Sequence, residues 1–468
     1  MRTKVIIIGG GLAGLAAAIR LAEADYEVVI LETRKKLGGR ATSFIDPRSG
    51  EVLDNCQHVL MGCCTNLMDL YDRLGVLDTI EWHRTLYWAY AENGSPKPDI
   101  MQAGWLPAPL HFTGSFRRMR NFSSLEKRAI ARAMWKMIRM GTAGRLAWSD
   151  RPFMDFLREC NQPQRLVEAF WQTIVISACN MPVERVCASH ALHVFQEGFL
   201  ANKWSYTMGL ATVPLWELYE PAVEYLQERG GTIRLGCSAK ELLYDGQRLR
   251  GVVTDEDTIF GAAMVAALPP DRLHKLCTTT IREADSRLTS LDKFETSPIL
   301  GVHLWFDRPV MDLPHLILVE RGVHWLFNKG IGEDGRQHLH AVISAADEWM
   351  ELDETQVVER VLADVRSVLP QSANLNPVAW RSVKEKRATF AAVPGIDAIR
   401  PRAASSGLGL QPGISNLYLA GDWCDTGWPA TMEGAVRSGY AAAAAIAGAG
   451  GVVEDVPPGR FAAWLGLR

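Results

Sequence analysis

The sequence predicts an α/β protein organised around a parallel, dinucleotide-binding sheet. Two observations predict it. The chain opens with a strand, a glycine turn, a helix and a second strand, in MRTKVIIIGGGLAGLAAAIRLAEADYEVVILE. Near its other end, a short strand runs into a helix of small residues, in LYLAGDWCDTGWPATMEGAVRSGYAAAAAIAG. A sheet that uses both must be discontinuous in sequence.

In the first unit, Val5 to Ile8 is a β-branched run suited to a strand buried on both faces. Leu15, Ile19 and Leu21-Ala22 recur at helical spacing. Val28 to Leu31 is a second buried strand, ending at Glu32. Gly9 makes the tight turn, Gly11 lets backbone approach a pyrophosphate, and Gly14 lets helix and strand pack closely. The helix N-terminus favours the anion, and Glu32 can accept hydrogen bonds from ribose hydroxyls. The alternative is an export signal, since Arg2 and Lys4 precede an apolar run. Gly9, Gly10, Gly11 and Gly14 break that run where the periodicity changes.

After Glu32 comes TRKKLGGRATSF. Lys35, Lys36 and Arg40 would suit the extra phosphate of NADP, but Glu32 would repel it. Gly38, Gly39 and Arg40 suggest a second loop close to the cofactor, with Arg40 contacting phosphates or flanking a flavin. In the C-terminal unit, Leu417 to Ala420 is a strand ended by Gly421 and Asp422. The Asp422 carboxylate can bind ribose or ribityl hydroxyls. A helix starting near Thr431 and Met432 aims its positive end at the same place, where reduced flavin gathers negative charge. This second half-site points to FAD, because an NAD enzyme has no need of it.

The fingerprint, the GGR loop and the GDW…GWPATMEGAV segment together resemble the FAD-dependent amine oxidase and phytoene desaturase superfamily. The likeness runs the full length. It implies a discontinuous Rossmann-like FAD-binding domain from 1–84, 208–290 and 408–447, and an α+β substrate domain of the amine oxidase type from 85–207 and 291–407, with a tail at 448–468. It also places Ala239 where backbone meets the adenine. More narrowly, DNCQHVLMGCCTNLMDLYDRLG, MGLATVPLWELYEPA and GDWCDTGWPATMEGAVRSG resemble the squalene-associated FAD-dependent desaturases. Members of that family act as hydroxysqualene dehydroxylases in bacterial hopanoid synthesis. The resemblance implies reduction of hydroxysqualene to squalene, and association with other enzymes of the squalene pathway.

Composition sets outer bounds. The chain has 468 residues, 48% hydrophobic, with a net charge of -3, so charge makes no case for nucleic acid. No apolar run reaches a spanning length. Nine irregularly spaced cysteines read as reduced thiols of a cytoplasmic protein, and no metal is expected. A zinc set of Cys56, His58, Cys63 and Cys64 is the weaker alternative. In the substrate domain, GVHLWF, HWLF and HLHAVIS are strand candidates, with a helix near Glu354 to Leu369. Residues 85–207 read largely as helix.

Region 111–148 holds nine Lys/Arg and one acid, Glu126. Leu125, Ala129, Ile130, Ala133, Met134, Met137 and Ile138 share one helical face. Such a helix either packs on its own domain or lies on the inner face of an anionic membrane. A polyisoprenoid substrate favours the second reading. Phe461, Trp464 and Leu465 in the tail pose the same choice.

For the chemistry, a dry apolar pocket with aromatic faces suits an allylic cation. Candidates are Trp204, Tyr206, Trp305, Trp325 and, beside the flavin turn, Trp428. Asp54 and His58 in DNCQH are candidate acids for the leaving hydroxyl, or else a turn cap and a satisfied core histidine. No nucleophile elbow or Ser–His–Asp set is present. The alternatives are a carotenoid-type desaturase, an amine oxidase, and a non-catalytic flavin-binding lipid escort.

Overall fold

The β-branched run at the start of the chain becomes the central strand of a five-stranded sheet. In this computed structural model, which describes residues 2–90, 97–405 and 413–467, Lys4–Ile8 lies between Glu27–Glu32 and Ala263–Ala266. Thr232–Leu235 and Leu417–Leu419 form the edges. Every pairing is parallel. Both faces of the central strand are covered, which is why its sequence is apolar without alternation. Val5 and Ile7 share a core with the first and last long helices. Ile6 and Ile8 pack in the main core on the opposite side.

Seven of the helices bear on the site and its surroundings: α1 (Leu12–Glu23), α2 (Thr65–Arg73), α3 (Ser124–Arg145), α4 (Ala188–His193), α5 (Glu354–Val368), α6 (Met432–Ala447) and α7 (Arg460–Leu465). Helices α1 and α6 cross with almost nothing between them. A Cβ on Gly439 would stand 2.2 Å from the Ala13 carbonyl oxygen. That crossing brings the two half-sites expected from the sequence onto one sheet. The first half of the C-terminal segment expected at 408–447 falls partly outside the described residues.

A seven-stranded mixed sheet stands beside this unit. Its order is Ala379–Phe390, Thr296–Phe306, Gln337–Ser344, Trp325–Ile331, His315–Leu318, Leu86–Ala89 and Asp99–Met101. One face packs on α5, with Leu300, Val302, Leu304 and Phe306 against Val357, Val361 and Val365. The alternate residues, among them His303, Trp305, His338 and His340, point the other way. A period of two therefore sorts an apolar structural face from a face rich in rings.

The three expected strands and the expected helix of this sheet are present. The strand Ala379–Phe390 was not expected. AWRSVKEKRATF carries charge where a buried strand would carry Val or Ile, because it forms the sheet's edge and its charges block further pairing. Leu86–Ala89 and Asp99–Met101 lie inside the stretch read as helix; each is too short to show a period.

Helix α3 resolves the choice posed by region 111–148 for its apolar stripe. Ala129, Ile130, Ala133, Met137 and Ile138 are buried in the core, so most of this face packs on the protein, while Leu125 at the helix start is exposed and Met134 half-buried. A Ser123–Glu126 capping box starts the helix. Among the described residues no helix is long and apolar enough to cross a membrane.

The helix crossing yields a prediction. Gly439→Ala should lower stability by about 1–3 kcal/mol, because the new methyl meets fixed backbone, even though alanine favours helix. Urea unfolding of the holoprotein checks this; an unchanged midpoint would show that the helices have room.

Candidate functional site

The N-terminal half-site is backbone built on glycine. Gly9 has φ +111° and donates to Leu31 O at 2.8 Å. A Cβ on Gly14 would stand 1.9 Å from Gly9 O, which is the close packing expected there. Helix α1 begins after Gly11 with no side-chain cap and no acid in its first turn, leaving bare N–H groups for an anion. A Cβ on Gly11 would meet only Gly39 Cα, at 3.7 Å. The two glycine loops are tied by Gly38 N donating to Gly10 O at 3.0 Å. The buried Glu32 carboxylate accepts from the Gly10 and Arg34 amides, both at 2.7 Å, so its position is fixed beside the turn. Cys237 N donates to Glu32 O at 2.9 Å, laying the segment that leads into Ala239 along the end of that strand. This cradle fits a dinucleotide.

The C-terminal half-site faces it. Gly421 has φ +154°, and a Cβ there would strike the Trp423 indole. Its amide donates to Ser438 Oγ at 2.7 Å. Thr431 caps α6, its hydroxyl accepting from Gly434 N at 3.0 Å, and Met432 opens the helix. Arg40 is not free to meet phosphate alone. Its Nη2 pairs with Asp422 Oδ1 at 2.5 Å, and Nη1 donates to Ala388 O at 3.0 Å. The pair ties the GGR loop to the GDW loop.

Two functional features escaped the sequence reading. The buried Arg400 donates from Nη2 to the carbonyls of Cys424 at 2.6 Å, Trp428 at 2.8 Å and Asp422 at 3.2 Å. It thereby fixes the whole loop before α6. Asp397 balances its charge at 3.2 Å and bonds His190 Nε2 at 2.9 Å. Burial opposes the Asp397 charge, yet His190 and Arg400 outweigh burial and hold the carboxyl well below its usual range. Glu433, in the first turn of α6, accepts from the amides of Asn66 and Leu67 at 3.2 and 2.8 Å. It caps α2 from another helix. Neither residue sits in a recognisable spacing; lone charges inside apolar stretches, as in IDAIRPR and ATMEGAV, were the available signal.

Asp54 and His58 border this region. Asn55 links them to the GGR loop, its Nδ2 donating to Arg40 O at 2.6 Å. Asp54 Oδ1 accepts from Ser43 Oγ at 2.7 Å and Leu215 N at 3.0 Å, while Oδ2 lies 3.8 Å from Lys329 Nζ. His58 Nδ1 donates to Cys56 O at 3.0 Å, which leaves Nε2 as a lone pair. Desolvation lowers its pKa. The neutral ring is therefore a hydrogen-bond acceptor at Nε2.

On the ring-rich face of the large sheet, His303 Nε2 lies 3.0 Å from Asp54 O and Nδ1 lies 2.9 Å from His338 Nε2. The carbonyl can only accept, so Nε2 of His303 carries its proton and Nδ1 receives one from His338. His340 stacks on His303 at 3.9 Å, and neither of its ring nitrogens has a hydrogen-bond partner among the described residues.

The aromatic candidates separate. Trp305 stacks on His338 at 4.5 Å, and Trp325 sits on the same face with Nε1 donating to Ser177 Oγ at 2.8 Å. Trp428 is buried, edge-on to His193 at 4.7 Å. Trp204 packs on Trp82, and Tyr206 bonds the backbone at Ala103 and Arg84. Among the described residues, Cys56, His58, Cys63 and Cys64 do not converge on a metal position. Cys187, His190 and Asp397 do, with the carboxylate already neutralising Arg400.

These contacts set two expectations. Arg400→Met should cost about 3 kcal/mol, since it strips charge-assisted bonds from three buried carbonyls, and should lower the FAD retained on purification. Full FAD content would show that the loop holds its shape unaided. Burial pushes the His303 imidazole down to about 4. Its stabilising effect is complete above about pH 6.5 and is lost as pH falls toward 4, a gap worth about 3 kcal/mol. Part of that gap falls between pH 7 and pH 5, so urea midpoints there should differ, and His303→Gln should reduce the difference, the rest belonging to other buried histidines such as His111 and His324; an equal slope in both proteins contradicts it.

Known proteins match this architecture throughout. The family described as flavin containing amine oxidoreductase matches residues 12–447. A hydroxysqualene dehydroxylase of Rhodopseudomonas palustris is 30% identical over 470 residues, covering 96% of this chain and 100% of that protein. One from Sinorhizobium fredii is 29% identical over 451 residues, covering 95% and 98%. A 15-cis-phytoene desaturase of Synechococcus elongatus is 26% identical over 467 residues, covering 95% of each. The solved structure of putrescine oxidase bound to putrescine superposes with a TM-score of 0.70 at 16% identity, over 96% of this chain and 100% of that one, which shows the shared fold. The chain belongs to the flavin containing amine oxidoreductase family and is an FAD-dependent oxidoreductase.

Proposed function

We propose that this protein reduces hydroxysqualene to squalene, a step of hopanoid synthesis. The observation that carries the proposal is the end-to-end match, at 30% and 29% identity, to two proteins named hydroxysqualene dehydroxylase. The GWPATMEGAV wording around the C-terminal half-site supports it.

When bound and reduced, FAD supplies a hydride to the carbon that loses its hydroxyl. The C–O bond breaks with its electron pair, and the oxygen leaves as water with one proton drawn ultimately from solvent; neutral His58, whose one N–H is held by Cys56 O, does not give it. The residues of this chain provide the surroundings that such a step needs. The glycine loops and Glu32 hold the adenosine end. Asp422, set by Arg40, meets ribityl hydroxyls. The capped start of α6 places positive dipole at the far end of the cofactor. Trp305, Trp325 and Trp428 supply aromatic faces, each worth up to about 2 kcal/mol to a desolvated cation. His58, with Nε2 as a lone pair, receives a hydrogen bond from the substrate hydroxyl and orients it. Asp54 holds the backbone that carries His58, and its bonds to Ser43 and Leu215 make it a positioning residue in this scheme.

The 26% match to a 15-cis-phytoene desaturase supports a second reading, the oxidation of a long polyene. Both substrates are polyisoprenoids and both need a dry, ring-lined pocket.

Anaerobic mixing of the photoreduced holoprotein with hydroxysqualene in detergent tests the choice. Flavin reoxidation with an equal amount of squalene is expected. No reoxidation while FAD stays bound overturns the dehydroxylase reading, and conversion of phytoene by the oxidised protein would then establish the second. His58→Gln should slow lipid conversion by about tenfold to a hundredfold with FAD content unchanged; an undiminished rate removes His58 from the site.

A further inference from the structure

The surface around α7 combines large exposed aromatic rings with guanidinium groups that have no carboxylate partner among the described residues. Trp105 is 88% exposed and Trp464 is 73% exposed. Leu110 and Trp135 are exposed with them. These residues come from three stretches of chain that the fold brings together. The loop holding Trp105 reaches the start of α7, with Ala108 3.7 Å from the Cβ position of Gly459. Helix α7 rests on α3, where Arg139 Nη1 donates to Leu465 O at 3.3 Å. Trp135 lies one turn before Arg139 on the outward face of α3, and Phe461 stacks on Trp464 at 5.7 Å.

The charges show the same bias. None of the guanidinium groups of Arg117, Arg118, Arg128, Arg132 and Arg460 pairs with a carboxylate among the described residues. Two cations close to them are paired, Lys136 with Glu159 and Arg165 with Glu126, and the five arginines are left without such a counter-ion among the described residues. Like charges gathered without counter-ions repel one another, and an anionic surface would relieve that repulsion.

Behind the face runs a layer of rings. Phe112 packs on Tyr206 at 4.7 Å and on Phe199 at 6.2 Å. Gly198, next to Phe199, has its Cβ position 3.3 Å from Met61, in the strand that follows His58. These packed rings extend from the face toward Met61.

We propose that this face docks on an anionic lipid bilayer, with Trp105 and Trp464 seated at the headgroup level and the arginines on lipid phosphates. The contact is made by the Trp105 loop and α7. The apolar stripe of α3 suggested by the sequence is, apart from Leu125, packed against the core. The purpose of docking rests on the polyisoprenoid reading above, since such a substrate dissolves in the bilayer; the docking itself is measured without substrate.

The test is flotation of the full-length holoprotein with vesicles of pure phosphatidylcholine or of phosphatidylcholine with phosphatidylglycerol. Binding to the anionic vesicles is expected to be at least tenfold tighter and to weaken at least tenfold between low and high salt. Trp105→Ser with Trp464→Ser should reduce it at least tenfold with FAD content unchanged. Arg128→Glu with Arg132→Glu should do the same, and carries the test if the tryptophan variant loses its flavin. Absence of binding by the parent protein, or equal binding by both folded variants, overturns the proposal. So does concentration-dependent dimerisation in sedimentation velocity that both variants abolish, which would make the face an interface between copies. Failure of the anaerobic turnover experiment with vesicle binding intact would overturn the substrate and leave the docking surface standing.

Discussion

The site depends on the contact between α1 and α6. At Gly439 the two helices approach so closely that a methyl group would press on the Ala13 carbonyl. Helix α1 follows the N-terminal glycine cradle, and α6 follows the loop of Gly421 and Asp422. Their separation and angle set the distance between the half-sites. Glycine and alanine along α6 serve this contact: small side chains let backbones meet, and van der Waals attraction falls steeply with any gap. The alanine-rich composition of the C-terminal helix is thus a packing requirement.

Around that frame, buried charges fix the loops. Arg40 with Asp422 joins the two glycine-rich turns, while Arg400 with Asp397 holds the carbonyls that lead into α6. Such pairs add little net stability against apolar replacements, because desolvation offsets their attraction. Their effect is geometric. Each guanidinium presents several donors at fixed angles, so a loop that bonds to it has few alternative shapes. Glu433 extends the same logic by capping a second helix from within α6.

The large sheet is divided into two faces. One face is given to α5 and stability. The other presents tryptophan and neutral histidine, groups with polar edges and aromatic faces but no charge at neutral pH.

The local features were legible in the amino-acid order. The fingerprint glycines, Glu32, the GD turn and the start of α6 each follow from a short-range rule: a period, a φ only glycine adopts easily, or a cap. The strands Thr296–Phe306 and Gln337–Ser344 showed themselves through apolar alternation. The strand Ala379–Phe390 did not, because an edge needs charge more than apolar surface. Arg400 and Asp397 carried only the signal of charges inside an apolar stretch, since their other partners, His190 and the carbonyls of Asp422, Cys424 and Trp428, lie on other segments of the chain. Helix α3 was amphipathic by its spacing, but spacing cannot say whether an apolar stripe meets a core or a lipid. By itself the sequence determined the cofactor class and the glycine turns, strands and helix starts of the two expected half-sites, because those depend on neighbouring residues. Only the tertiary structure decided which charges are paired, which rings are exposed and which histidines stay neutral, because burial is a property of what the rest of the chain places alongside.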